Sequence, residues 1–251
     1  IRTAAGIADQ EQQFAAYMDD LDQLRKGSLT IGASNLFVSY ILPPLIAEYT
    51  AAFPGVTVML REEDTFHLTE RLLSDELDLV MDIGDLDPQL FDGIFFCHGS
   101  LLLTVPEEIV LRCGAEKYAM TAQDIRSNRH LLPETEPVSL SLFRNEPFLL
   151  LNEGNDTRKR ADSIFELHQM KPVVRLLLDQ QISAYTFADY GMGISFTGDL
   201  LVKHLPQSGK LRYFRLVGTE VERSVYFYRR RKRFAPKAQR KFLEIAASYR
   251  R

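Results

Sequence analysis

Apolar residues recur along residues 28–83 with two spacings in turn: every second residue, as in a strand, and every third or fourth residue, as in a helix. Leu29, Ile31 and Ala33 alternate with polar neighbours as in a half-buried strand, and the period of two returns over residues 56–60. Helical spacing in the segments between and after these strands predicts two helices, with these apolar residues inward: Ile41, Leu45, Ile46 and Tyr49, then Leu68, Leu72 and Leu73. An apolar strand over residues 77–83 follows. The resulting β-α-β-α-β order predicts a mainly parallel sheet with helices on its faces.

The second half of the chain repeats this mixture of strands and helices. We expect a second unit to begin with strands at residues 94–97 and 101–105, followed by strands at 148–151, 173–178, 194–196 and 226–228. Helices are predicted from Asn155, Asp156 or Thr157, over residues 182–190, and over 235–249. The fold class is therefore α/β.

The first residues carry a different pattern. Ile7, Phe14, Met18 and Leu21 repeat in steps of seven, four and three, which indicates the seam of a helix able to pair with a second helix. Packing on its own domain is the alternative. The chain opens with Ile1 inside this pattern, so we expect further residues upstream.

Charge is distributed unevenly over the 251 residues, whose formal net charge is −4. Residues 229–251 hold ten Lys and Arg against Glu244 alone, so the preceding body is acidic and is not expected to bind a polyanion. The basic run over residues 229–233 could mark a nucleic-acid or targeting patch. Because it lies between a predicted strand and a predicted helix, we favour a solvated surface turn.

The remaining composition argues against several protein classes. Two cysteines are too few for a disulfide framework, and no signal peptide or apolar span is present, so we expect a cytoplasmic protein without membrane contact. The five histidines lack ligand spacing, and no G-x-S-x-G or P-loop motif occurs. We therefore expect no catalytic residues, no metal and no cofactor, and a protein that is not an enzyme.

Several short motifs resemble a known family in both composition and order. They are GSLTIGAS at residues 27–34, LPPLI at 42–46, FPGV at 53–56, LDLV at 77–80 and GMGI at 191–194. Together they resemble the effector-binding domain of LysR-type transcriptional regulators. Two departures stand out: Asp75 replaces a usual glycine, and Thr197-Gly198 replaces the usual proline after the glycine turn.

The resemblance implies a two-lobed type II periplasmic-binding-protein fold. Residues 1–26 would be the C-terminal part of the linker and dimerisation helix, residues 27–99 with 229–251 lobe I, and residues 100–228 lobe II. It also implies a homodimer or homotetramer, with DNA bound only through a winged helix-turn-helix domain upstream of this chain. A small-molecule effector, most simply a carboxylate or another anion, would bind between the lobes.

Candidate effector-binding residues follow from the ends of the predicted strands, where ligands of such sheets bind. Ser34 and Asn35 come first, because the resemblance places a ligand carboxylate at this helix start. The remaining candidates are Asp64, Thr65, Thr104, Asn152, Ser195, Phe196 and Thr197. The Asp64 carboxylate would repel an anionic group and favour an amino or hydroxyl group on the ligand.

Other interpretations remain open at this stage. Ser34 or Asn35 could simply cap a helix, and Phe196 could belong to the core. Cys97 and Cys113 could form a redox switch, although ordinary thiols are the simpler reading. A solute-binding protein of the same fold, serving a transporter, is the alternative function, but it would need an export signal.

Overall fold

The computed structural model describes residues 18–20, 23–83, 86–206 and 208–249. The described residues form two compact units: unit 1 contains those up to Cys97 and from Tyr226 onward, and unit 2 contains His98–Val225. The lobe boundaries expected after residues 99 and 228 lie two and three residues from these. The predicted linker helix falls mainly on residues 1–17 and 21–22, outside the described residues.

Unit 1 is built on the predicted parallel strands. Strands β1 (Ser28–Ala33), β2 (Thr57–Glu62) and β3 (Leu79–Asp82) are parallel in the order β2-β1-β3. Strand β9 (Glu222–Arg230) pairs antiparallel with β3 through residues 226–228. The mainly parallel sheet expected from the β-α-β-α-β order is confirmed.

Helices cover both faces of this sheet. Helix α1 (Leu42–Ala52) packs with the last helix, α8 (Lys237–Ser248), where the Tyr49 and Phe242 rings meet edge to face at 5.6 Å. Helix α2 (Thr65–Leu73) covers the other face. A Cβ at Gly32 would lie 2.6 Å from the terminal methyl groups of both Leu68 and Leu77, so these side chains would have to shift for a larger residue to fit between the layers.

Unit 2 contains its own sheet, in the order β8-β4-β7-β5-β6. Its strands are β4 (Phe91–Pro106, which begins in unit 1), β5 (Pro147–Leu151), β6 (Val173–Leu178), β7 (Ile194–Gly198) and β8 (Leu211–Arg215). The β6-β5-β7 part is parallel, whereas β4 is antiparallel to both β7 and β8. The sequence prediction missed β8 entirely.

The helices of unit 2 lie between these strands in the chain. They are α3 (Glu107–Cys113), α4 (Ala122–Arg126), α5 (Asp156–Leu167), α6 (Gln181–Asp189) and α7 (Asp199–His204). Asn155 caps α5 by accepting a hydrogen bond from the Thr157 amide at 2.9 Å, as one of the predicted alternatives has it. None of the helices formed by the described residues is long and apolar enough to cross a lipid bilayer.

One element differs clearly from its prediction. The two strands predicted at 94–97 and 101–105 are a single strand, and its first part belongs to unit 1. Gly99 does not interrupt it: the backbone stays extended, and a Cβ there would lie 3.2 Å from the Asp199 carboxylate. A glycine in a strand here marks a close approach of a neighbouring side chain rather than a break.

The basic run at residues 229–233 begins with the last two residues of β9 and continues as a turn over residues 231–233, so the surface turn that the sequence favours covers only part of the run. Arg229 pairs with Asp92 at 2.9 Å, while Arg230 and Arg233 pair with Asp75 at 2.9 and 2.7 Å. All these side chains are partly exposed. The cations are therefore matched by acidic neighbours within unit 1.

A buried carboxylate, Asp199, connects three segments of unit 2. It accepts hydrogen bonds from the Ser100 amide at 2.8 Å and the Lys203 ammonium at 2.7 Å, and lies 3.1 Å from Nε2 of buried His130. Burial alone would raise the pKa of Asp199, but the bonds to His130, Lys203 and Ser100 outweigh it and hold the pKa below its usual value. The carboxylate is therefore charged and fully engaged.

We expect Asp199→Asn to lower the free energy of unfolding by about 3 kcal/mol, since it breaks a buried charged network and leaves Lys203 without its counter-ion. Urea unfolding measures this. Asp162→Asn is the control, because the Asp162–Arg158 pair is partly exposed and its loss should cost about 0.5 kcal/mol. Equal losses in the two variants would contradict a structural role for the buried network.

Candidate functional site

The first candidates, Ser34 and Asn35, follow β1 directly, but neither side chain caps a helix. The Ser34 carbonyl accepts the amides of Phe37 and Val38, each at 3.0 Å, and the chain continues through a π-helical turn, Phe37–Ile41. Asn35 Nδ2 donates to Glu62 Oε1 at 2.9 Å, at the end of the neighbouring strand. The helical residues begin at Asn35, before the π-helical turn, and Ser34 starts them through its carbonyl rather than through the predicted side-chain cap.

Asp64 and Thr65 begin α2. Asp64 accepts the His67 amide at 3.0 Å as a helix cap, and its second oxygen lies 2.8 Å from His67 Nδ1. The backbone hydrogen bond from His67 lowers the pKa of Asp64, and the Asp64 carboxylate raises the pKa of His67. The Thr65 carbonyl accepts the Thr69 hydroxyl at 2.6 Å. The exposed Asp64 and His67 side chains thus stabilise the start of α2.

Three candidates of unit 2 lie inside the sheet. Thr104, Ser195 and Thr197 are each fully buried on β4 and β7. Thr104 pairs with Ser195 across the two strands, and the Ser195 and Thr197 hydroxyls lie 3.3 Å apart. The Thr104 hydroxyl has no hydrogen-bond partner within the described part of the chain. The structure brings these hydroxyls together beneath the surface.

The last two candidates are separated from that group. Phe196 is 3% exposed; its ring packs edge to face on Phe165 and is stacked on Phe148. It therefore belongs to the core, which was the alternative interpretation of this residue. Asn152 is exposed and donates to Asp179 at 2.5 Å beyond the end of β5. Neighbouring strand residues thus lie in different environments, because successive side chains point to opposite faces.

A polar cluster that the candidate residues omit lies at the start of α5. We call Asp156, Thr157, Gln181, Gly198 and Arg223 the Arg223 cluster. The Thr157 hydroxyl accepts hydrogen bonds from the Gln181 amide and from Arg223, the latter at 2.7 Å. Gln181 in turn accepts the Gly198 amide at 3.2 Å, at the end of β7.

The guanidinium of Arg223 dominates the electrostatics of this cluster. Its side chain is only 3% exposed, and it lies 3.7 Å from the Asp156 carboxylate. Asp156 is shared with Arg160, whose Nε donates to it at 2.9 Å. Two guanidiniums therefore face one carboxylate beside the N-terminus of a helix of 12 residues, an environment that favours a further negative charge.

A sequence signal for Arg223 does exist. Val221, Val225 and Phe227 alternate with polar neighbours and are all buried, and Arg223 occupies an inward position of this same face. A cation at an inward position of a strand must be paired or functional, because burying a charge alone is unfavourable. The signal was missed because the strand was predicted only over residues 226–228.

Metal and thiol chemistry have little support in the described residues. Among them, no three side chains of His, Cys, Asp or Glu are grouped so that they could hold a metal ion. Cys97 and Cys113 form no disulfide bond within the described part of the chain. Burial raises the pKa of Cys113, which donates to Glu146 at 3.7 Å, and a raised pKa lowers the reactivity of a thiol.

Comparisons with known proteins match this fold. Over residues 22–251 the chain matches the family model described as LysR substrate binding domain. It is 27% identical over 222 residues to the HTH-type transcriptional regulator CfxR of Cupriavidus necator, covering 88% of this chain and 62% of CfxR. The chain spans about 60% of the length of curated relatives such as CfxR.

Two solved structures share the architecture. The regulatory domain of Synechocystis PCC6803 CcmR, in complex with 2-PG, is 17% identical, with a TM-score of 0.71 over 89% of this chain and 97% of that one. The BenM effector binding domain with benzoate is 18% identical, with a TM-score of 0.66 over 88% and 91%. Both confirm the type II periplasmic-binding-protein-like fold. The family match over nearly the whole chain shows that this protein belongs to the LysR substrate-binding domain family.

Proposed function

We propose that this chain is the effector-sensing portion of a bacterial LysR-type transcription regulator and that its effector is a small carboxylate. The Arg223 cluster carries the proposal: a buried guanidinium, a hydroxyl and an amide meet beside a helix N-terminus. Arginine binds carboxylates with two parallel hydrogen bonds, and backbone N–H groups at a helix start add to the attraction. Ser34 and Asn35 of unit 1 stay proposed effector contacts.

The named relatives support this chemistry. BenM has benzoate as its effector, the CcmR regulatory domain forms a complex with 2-PG, and both share the fold of this chain. CfxR is named as an HTH-type transcriptional regulator. DNA binding would be the task of a domain outside this chain, acting in the cytoplasm.

Regulation would proceed by population shift. An effector that binds one arrangement of the domain more tightly than another favours that arrangement, and a coupling of about 1 to 3 kcal/mol is sufficient. A transporter-linked solute-binding protein is the second candidate. The family match and the regulator relatives favour sensing over transport.

We expect Arg223→Gln to weaken carboxylate binding at least about tenfold, because the bidentate donor is lost. A thermal-shift panel of small carboxylates that includes benzoate first identifies a binder, and calorimetry then measures its affinity. Arg175→Gln is the matched control, since Arg175 is exposed and donates only to the Met192 carbonyl. Ser34→Ala tests the unit 1 contact in the same titration.

Full affinity in Arg223→Gln would remove the cluster from the site. A panel in which no carboxylate binds would contradict the ligand class itself.

Thr157→Val and Thr104→Val test which buried threonine belongs to the site. Thr157 accepts from both Gln181 and Arg223, so its loss removes the acceptor that the two donors share and should weaken carboxylate binding as well as lower the free energy of unfolding by about 1 to 3 kcal/mol. Thr104 has no such bond, and valine has its shape. We expect Thr104→Val to preserve both affinity and stability, as calorimetry and urea unfolding would show; reversed effects would place the ligand against the sheet hydroxyls.

A homodimer is also part of the proposal. Strands β2 and β6 lie at the open edges of their sheets and expose apolar side chains: Met59, Leu60, Val173, Val174 and Leu177. Exposed apolar sheet edges favour pairing with another chain. A second copy of this chain would cover them.

Leu177→Glu should therefore shift the chain from dimer to monomer, because a carboxylate would be buried at the paired edge. Sedimentation equilibrium measures the change. Leu111→Glu is the control: Leu111 is as exposed, at 61% against 55%, but lies on α3. An unchanged dimer in Leu177→Glu would show that β6 is not the interface.

A further inference from the structure

Unit 2 contains a cavity of about 370 Å³ that the Arg223 cluster does not line. Small-molecule sites in proteins have volumes of about 300 to 1,000 Å³. The lining comes from residues 100–102, 130–131, 133, 137, 215–218 and 221–222. Most of these residues are apolar, but polar atoms form slightly more than half of the surface that they present to the cavity.

The cavity exists because the chain leaves the sheet between β8 and β9. Strand β8 pairs with β4 only from Pro106 back to Leu102. After Arg215 the chain turns at Gly218, whose φ of 122° is a conformation that favours glycine, and β9 begins at Glu222. The excursion opens a space beside Ser100 and Leu101.

One wall of this space is held open by Arg215. Its guanidinium donates to the carbonyls of Leu132 at 2.8 Å and Thr135 at 2.9 Å, and its own carbonyl accepts the Val138 amide at 2.9 Å. Pro133 and Pro137 lie in this segment, have fixed φ angles and carry no N–H. This wall is rigid and cannot close the gap by adding a strand.

A second wall is fixed by the buried ionic network. His130 is 2% exposed and faces Asp199 through Nε2, while Asp199 also binds the Ser100 amide. Nδ1 of His130 has no hydrogen-bond partner among the described residues. Buried polar atoms are normally paired, so an unpaired one beside a cavity indicates that a hydrogen-bonding group can enter there.

The mouth of the cavity adds an independent observation. Leu131 and Val217 on its rim are each 54% exposed, and neighbouring Leu132 is 44% exposed. Contiguous exposed apolar side chains around a concave opening mark a binding surface more often than a free one. The apolar rim therefore favours contact with the apolar part of a ligand.

We propose that this cavity is a second small-molecule site, for an uncharged molecule that combines an apolar part with a hydroxyl group, such as a phenol or an alicyclic alcohol. The lining contains one cation, Arg215, and one anion, Glu222, so no net charge favours an ionic ligand. A hydroxyl both donates and accepts, and it can therefore pair with the His130 imidazole in either tautomer. The apolar side chains of the lining would contact the remainder of the molecule.

The test uses phenol and cyclohexanol as probes on the whole 251-residue chain. Amide chemical shifts in a titration should change in a saturable way at residues 100–102, 130–131 and 216–218. Val217→Trp, which plugs the mouth from an exposed position, should weaken phenol binding at least about tenfold. Leu111→Trp is the matched control, because it adds the same bulk at an equally exposed leucine outside the cavity.

Benzoate titrated against the same variants separates this site from the carboxylate site. We expect Val217→Trp to affect phenol but not benzoate, and Arg223→Gln to affect benzoate but not phenol. Phenol shifts that persist in Val217→Trp, or that map to the Arg223 cluster, would overturn the proposal. Absence of saturable shifts with both alcohols would overturn it as well.

Discussion

The buried Asp199 carboxylate is the interaction on which the architecture of unit 2 depends. It joins the Ser100 amide on β4, the Lys203 ammonium on α7 and the His130 ring in the long segment before β5. A buried charge is tolerated only when its partners are fixed, so each partner constrains the others. The end of β7, which contributes Gly198 to the Arg223 cluster, lies directly before this residue. The cavity wall formed by His130 depends on the same carboxylate.

Much of the fold could be predicted from periodicity. Strands β3 and β5 coincide with apolar runs, because a strand covered on both faces has to be largely apolar. The predicted strand Val173–Leu178 has the same limits in the structure. Strand β8 was missed because Arg212 and Arg215 flank its apolar residues, and its pairing partner, β4, is more than a hundred residues away. A local sequence pattern carries no information about pairing between strands that are so far apart in the chain.

The candidate site was less predictable, and the pleat of the sheet explains why. Ser195, Phe196 and Thr197 are consecutive at the end of one predicted strand. A prediction from strand ends alone therefore assigns all three to the same site. In the structure Phe196 joins the aromatic core while Ser195 and Thr197 lie on the opposite face. The hydrogen-bonding groups that do converge come from separate elements, with Thr157 on α5, Gln181 at the start of α6 and Arg223 on β9. The sequence indicated Thr157 only as part of a helix cap.

Asp75 shows how a departure from the family pattern can be matched elsewhere in the chain. Its φ of 64° is left-handed, a conformation that glycine adopts freely and that costs another residue about 1 kcal/mol. The Asp75 carboxylate binds Arg230 at 2.9 Å and Arg233 at 2.7 Å. Each partly exposed pair contributes about 0.2 to 1 kcal/mol, so the two together offset the backbone cost. The aspartate thus neutralises a basic turn that would otherwise present concentrated positive charge, so the departure at Asp75 and the basic run are physically linked through these two ion pairs.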